Sequence, residues 1–224
     1  MRILWCITGA GHLLQECVEV IEKSQDEVTV ALSSAGEEVA RTYGLFDRIK
    51  KVAVETILES EQGSSYPVSG RMAKKEYDVL VVAPCTANTV AKTVHGIADS
   101  LASNLVAQAQ KSEIPIVILP TDFEESQKTK IPVTIEFEKC QNCEPCPAME
   151  ACPNLAFYRA ERLRINLLKC NACRKCILLC EHGAVTFGKE VTIKSREIDL
   201  KNLSDLKKIQ GIKAVRNPEE LYSL

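Results

Sequence analysis

Arg2-Ile3-Leu4-Trp5-Cys6-Ile7-Thr8-Gly9-Ala10-Gly11 opens the chain, and its reading decides the fold. A short apolar run meets a threonine and two glycines. Such a run, bounded by turn residues, predicts a buried strand over residues 2–8. The glycines then turn the chain into a helix over about residues 12–23, where Leu13, Leu14, Cys17, Val18 and Ile21 share one face. The pattern repeats downstream. Strands are expected at 28–32, 49–54, 79–83 and 115–119, and helices at 37–43, 86–94 and 99–111. Short apolar strands alternating with helices predict an α/β fold, a parallel sheet with helices on both faces.

The alternation stops near residue 121, and residues 122–130 read as a polar linker. Beyond it, eight of the 11 cysteines fall in two runs. The first is Cys140-x2-Cys143-x2-Cys146-x5-Cys152, and the second is Cys170-x2-Cys173-x2-Cys176-x3-Cys180. Three thiolates spaced three apart around a tight loop can hold three corners of an iron–sulfur cube, leaving the fourth to a distant cysteine. Zinc prefers separated Cys-x2-Cys pairs that close a four-ligand site, so a triple run leaves an odd ligand in each half. Disulfides need an oxidising compartment, and an odd total suits them poorly. The runs resemble those of bacterial two-cluster ferredoxins, in which each fourth cysteine crosses to the other cluster. That resemblance implies one [4Fe-4S] cluster on Cys140, Cys143, Cys146 and Cys180, and a second on Cys170, Cys173, Cys176 and Cys152. Short strands are expected at 133–137 and 163–168, with a hairpin over 184–195 through Gly188-Lys189. The chain thus divides into residues 1–125, a small α+β cysteine region at 130–196, and a tail at 197–224. The tail carries a helix near 203–209 and a strand near 212–215.

Composition narrows the function. The 224 residues are 46% hydrophobic and 26% charged, ordinary globular values. A net charge of −2 offers no basic field to nucleic acid, and 5% aromatic content no base-stacking platform. No apolar run reaches the roughly 18 residues that cross a bilayer. The apolar start meets Thr8 too soon for a secretory signal. A cytoplasmic protein with reduced thiols, binding neither membrane nor nucleic acid, is the expectation.

In an open α/β sheet the ligand sits beyond the carboxyl ends of the strands. Here those ends are small and polar. Gly9-x-Gly11 lacks the third glycine of a dinucleotide fingerprint, since Leu14 stands there, and Ser33 replaces the ribose-binding carboxylate. Hydroxyls and backbone N–H groups at helix starts suit a single terminal phosphate, as in FMN. The fourth strand's loop reads Ala83-Pro84-Cys85-Thr86-Ala87-Asn88-Thr89-Val90-Ala91-Lys92, followed by Gly96-Ile97-Ala98-Asp99-Ser100-Leu101. This closely resembles the fingerprint of the homo-oligomeric flavin-containing cysteine decarboxylase superfamily, over residues 1–120.

The resemblance implies a flavodoxin-like, Rossmann-type sheet and FMN at a subunit interface of a homo-oligomer, a trimer or a multiple of trimers. Carried over by position, Thr8, Gly9, Gly11, Ser33 and Ser34 surround phosphate and ribityl. Ala83, Pro84, Thr86, Asn88 and Thr89 line the flavin, and Asp99, Ser100 and Leu101 touch it from the second helix. His12, beside the phosphate loop, is a further candidate contact. The decarboxylases' histidine, eight residues before Asp78, is Gly70 here. Their Pro-x-Met-Asn clamp is replaced by Pro120-Thr121-Asp122-Phe123. Both departures argue against decarboxylation.

An FMN domain joined to a two-cluster ferredoxin-like domain resembles the iron–sulfur flavoprotein branch of that superfamily, which includes the acceptor-type dihydromethanopterin reductases. The likeness implies an oxidoreductase acting on a C=N bond. An external low-potential donor, such as a ferredoxin or a reductase, feeds two [4Fe-4S] clusters. The clusters feed FMN, and flavin N5 gives hydride to a dihydropterin with no catalytic side chain. An electron-transfer flavoprotein without a small substrate of its own is the alternative.

Overall fold

The computed structural model describes residues 1–65 and 67–223. β1 (Arg2–Ile7) leads to α1 (Leu14–Lys23), then β2 (Glu27–Leu32), α2 (Ser34–Thr42), α3 (Phe46–Val52) and β3 (Glu55–Leu58). Next come α4 (Glu59–Gln62), α5 (Val68–Ala73), β4 (Val79–Cys85), α6 (Ala87–Val94), α7 (Leu101–Lys111) and β5 (Ile116–Pro120). The cysteine region holds β6 (Ser126–Lys130), β7 (Thr134–Ile135), α8 (Pro147–Glu150), β8 (Phe157–Arg159) and β9 (Leu163–Ile165). It continues with α9 (Lys175–Leu179), β10 (Val185–Thr186) and β11 (Glu190–Lys194), and the chain ends with α10 (Glu197–Leu206) and β12 (Ile212–Ala214).

Six parallel strands form the central sheet in the order β12-β5-β4-β1-β2-β3. Period-two alternation along β1 sends Ile3, Trp5 and Ile7 into one layer and Leu4 and Cys6 into the other. On the first face they meet Leu14, Val18 and Ile21 of α1 and Phe46 and Ile49 of α3. On the second they meet Met72 of α5, Leu101 and Leu105 of α7, and Leu203 and Leu206 of α10. Burial on both faces explains why the strands read as unbroken apolar runs. Strand order reverses between β1 and β4, and in open α/β sheets ligands bind outside the carboxyl ends of the strands at such a point.

Three expectations are corrected. The strand expected at 49–54 is mostly helix α3. Phe46 and Ile49, three apart, are buried, whereas Lys50 and Lys51 project outward, and the third strand is β3. The polar linker ends in a strand, β6, paired antiparallel with β11. The hairpin through Gly188 does not form. Gly188 turns the chain, but β10 pairs with β7 and β11 with β6, so the two arms belong to different ribbons. The strand expected near 212–215 forms as β12, the outer strand of the sheet against β5, and α10 packs on α6.

Candidate functional site

At the switch point the side chain of Thr8 ties two strand ends together. Thr8, 2% exposed, donates its hydroxyl to the Pro84 carbonyl at 2.8 Å and accepts the Thr86 N–H at 2.9 Å. Its own N–H reaches the same carbonyl at 3.2 Å. The Ala83–Pro84 peptide is cis, and the Ala83 carbonyl accepts the indole N–H of buried Trp5 at 2.6 Å. Thr86 caps α6 by accepting the Thr89 N–H, and Thr89 is buried beneath it. Asn88 stands exposed on the first turn of α6. Cys85 is fully buried, and burial holds its thiol well above its usual titration range, which makes it a wall residue rather than a nucleophile.

Across the crevice a residue that the sequence reading missed organises the other wall. Glu59, the first residue of α4 just after β3, accepts the Ser34 N–H at 2.8 Å and hydroxyl at 3.3 Å through one oxygen. Its other oxygen accepts the Leu101 N–H at 2.6 Å. One carboxylate thus satisfies the starts of α2 and α7, where helix dipoles favour negative charge. Ser33 caps α2 by accepting the Gly36 N–H at 3.0 Å. Ser100 caps α7 in a reciprocal pair with Ser103, and exposed Asp99 accepts from Lys92 at 2.7 Å. Glu59 was not visible in advance because its partners lie 25 and 42 residues away.

The two loop glycines answer to protein neighbours. A Cβ at Gly9 would lie 2.6 Å from the Ala35 Cβ, and one at Gly11 would lie 2.4 Å from the Tyr43 hydroxyl oxygen. His12 is half-buried beside them, and burial lowers its pKa despite the Glu16 and Asp122 carboxylates. The crevice mouth thus presents small hydroxyl, amide and backbone groups over a buried floor of Ala83, Pro84 and Cys85. That surface fits a flat ligand carrying a phosphate. For the phosphate to use the Ser34 and Leu101 N–H groups, Glu59 must release them.

In the cysteine region both runs make the same turn. Asn142, between Cys140 and Cys143, has φ 51°, and Ala172, between Cys170 and Cys173, has φ 53°. Backbone N–H groups point at sulfur, Ala156 to Cys152 at 3.3 Å and Ala172 to Cys170 at 3.4 Å. Cys140, Cys143, Cys146 and Cys180 line one cavity, and Cys152, Cys170, Cys173 and Cys176 line another. Each ring takes three cysteines from one run and one from the other. Cys173 is exposed, and burial pushes the Cys176 thiol up to about 11, so binding a metal there displaces its proton. Among the described residues, no group of three or more His, Cys, Asp or Glu side chains is gathered tightly enough for a single metal ion. Four thiols around each cavity are the donor set that an iron–sulfur cube requires.

The family model described as Flavoprotein matches residues 1–131. A protein of Methanosarcina mazei named dihydromethanopterin reductase (acceptor) is 40% identical, covering 100% of this chain and 98% of its own. One of the same name from Methanocaldococcus jannaschii is 39% identical, covering 99% and 94%. The crystal structure of Burkholderia xenovorans DmrB with FMN, described as a cubic protein cage for redox transfer, shares the fold. It has TM-score 0.64 and 24% identity, over 99% of this chain and 91% of that one. No helix among the described residues is long and apolar enough to cross a membrane.

Proposed function

The chain belongs to the flavoprotein family, and from that premise we propose that it is an iron–sulfur flavoprotein oxidoreductase. It takes single electrons from an external low-potential carrier and reduces a dihydropterin, dihydromethanopterin in the first instance, to the tetrahydro form. One observation carries the reading. Two crossed rings of four cysteines share a chain with a flavoprotein crevice, and that chain is 40% identical along its length to a reductase of this kind.

When bound, FMN supplies the ability to collect electrons singly and deliver them in pairs as hydride. The chain's own residues supply position. Thr8, Pro84 and Thr86 lock the floor of the crevice. Asn88, Ser34, Ser100 and the N–H groups at the starts of α2, α6 and α7 would hold the cofactor, with His12 at the loop above. Cys140, Cys143, Cys146 and Cys180 would hold one [4Fe-4S] cluster, and Cys152, Cys170, Cys173 and Cys176 the other. No side chain in the crevice needs to act as a strong acid or base, and the buried Cys85 thiol stays protonated. Residues 1–125 would form the flavin part and 130–196 the electron-carrying part, with the tail completing the sheet. A homo-oligomer in a reducing cytoplasm is part of the same reading.

The test is an anaerobic assay of the reconstituted protein with a reduced one-electron donor and a panel of dihydropterins. About two donor equivalents should be oxidised per tetrahydropterin formed, since a hydride carries two electrons. Donor oxidation that continues to a second electron carrier but never to a pterin would leave an electron-transfer protein instead.

A further inference from the structure

Two aromatic rings join the flavoprotein sheet to the cysteine region. Tyr43 follows α2 and lies against the β1 exit loop, where it is the neighbour that a side chain at Gly11 would strike. Its hydroxyl donates to the Lys130 carbonyl at 2.7 Å. The ring meets Phe187 edge-on, with centroids 6.3 Å apart and planes at 73°. Phe187 lines the cavity of Cys152, Cys170, Cys173 and Cys176. The Arg174 guanidinium, on the same lining, covers Phe187 at 4.2 Å.

Neighbouring contacts fall on the same side. Gly44, at φ 72°, approaches Ala172 so closely that a Cβ there would lie 3.0 Å from the alanine's own. The Thr42 hydroxyl donates to the Leu167 carbonyl at 3.4 Å. Residues 42–44 therefore rest on Leu167, Ala172 and Phe187, at or next to the second cavity. The lining of the first cavity, drawn from residues 140–148 and 180–185 with Leu163, includes none of these residues.

We propose that the ring of Cys152, Cys170, Cys173 and Cys176 is the proximal electron site of the chain, coupled to the flavin crevice through Phe187 and Tyr43, and that the Cys140 ring is the distal site. This rests on the proposed function. Each transfer moves one electron from the proximal cluster to the flavin. Two transfers with two protons complete the reduced flavin, and the external one-electron carrier restores the clusters. Tyr43 and Phe187 are positioning residues, since they keep the proximal ring against the Gly11 loop by packing.

The test injects single electrons by laser flash from photoreduced deazaflavin. It follows re-equilibration between flavin and clusters by their visible absorbance. The phase should be independent of protein concentration. Tyr43→Leu and Phe187→Leu should each slow it by about tenfold or more, the scale on which displaced reacting groups lose rate. Tyr43→Phe should retain it, and cluster potentials from EPR titration should stay in place. Independently, Cys143→Ser should keep the phase and Cys173→Ser should abolish it. Iron, sulfide and flavin are measured on every variant, and where a ring variant loses a cofactor the cysteine pair decides. Wild-type rates in both leucine variants, or loss in Cys143→Ser with retention in Cys173→Ser, would overturn the assignment. A wild-type protein that takes up no iron and sulfide would instead overturn the proposed function itself.

Discussion

Thr8→Val removes one oxygen from the switch point and almost no volume. In the structure that oxygen donates to the Pro84 carbonyl and accepts the Thr86 N–H. The carbonyl keeps a second partner, the Thr8 N–H at 3.2 Å, so its loss is modest. The Thr86 N–H loses this partner, and because Thr86 is only part-buried the cost falls at the low end of the about 1–3 kcal/mol of a buried unpaired donor. With about 0.5–1.5 kcal/mol for the lost bond to Pro84, the variant should be destabilised by about 2 kcal/mol. For a chain of this length that corresponds to a fall of roughly 4–8 °C in Tm. The assay is built in. Trp5 is the sole tryptophan, is 1% exposed, and donates to the neighbouring Ala83 carbonyl, so its fluorescence during urea unfolding reports this corner. Thr8→Ser should recover most of the loss. A Thr8→Val protein within about 0.5 kcal/mol of wild type, the usual range of an uninvolved surface change, would refute the claim that this hydroxyl locks the crevice.

Three other perturbations probe the rest of the site. Glu59→Ala strips the carboxylate from two helix starts and should cost about 1–2 kcal/mol in the flavin-free protein, the scale of a lost helix cap, read by the same urea titration. Cys180→Ser should lose about four of eight irons and spare the cluster of its own run; loss of the cluster held by Cys170, Cys173 and Cys176 would contradict the crossed rings. Burial sets the folded pKa of His12 below the ordinary value of 6.5. Its contribution is therefore fully present above about pH 6.5 and is lost as pH falls through the folded value. His12→Gln should flatten the stability profile in that acidic window, and an unchanged slope would remove His12 from the crevice wall.

Much of the fold was legible because both faces of the sheet are covered. β4 and β5 are apolar end to end, and β1 and β2 are buried from their second residue on, so they read as short strands between helices. β3 was misplaced because its own residues, Glu55 to Leu58, are half polar at an outer position, while the preceding helix carries the stronger apolar signal. β6 is polar and β11 is mostly exposed, so only their mutual pairing, about sixty residues apart, makes them strands. The candidate site divided in a similar way. Thr8, Ser33 and Thr86 were proposed because hydroxyls at strand ends and helix starts are a local signal, and Ser100 because of the family resemblance. Part of their work is structural, since Ser33, Thr86 and Ser100 cap helices. The glycines at 9 and 11 were read toward a ligand, yet Ala35 and Tyr43 account for their small size. Glu59 and the Tyr43–Phe187 contact depend on tertiary neighbours that no spacing rule encodes.

The central claim is that one chain joins two iron–sulfur centres to one flavin, and an anaerobic reductive titration tests it most directly. The reconstituted protein should take up about four electrons per chain, one for each cluster and two for the flavin, and return two of them to a stoichiometric dihydropterin. Uptake of about two electrons, with zinc or nothing bound to the cysteines, would contradict it.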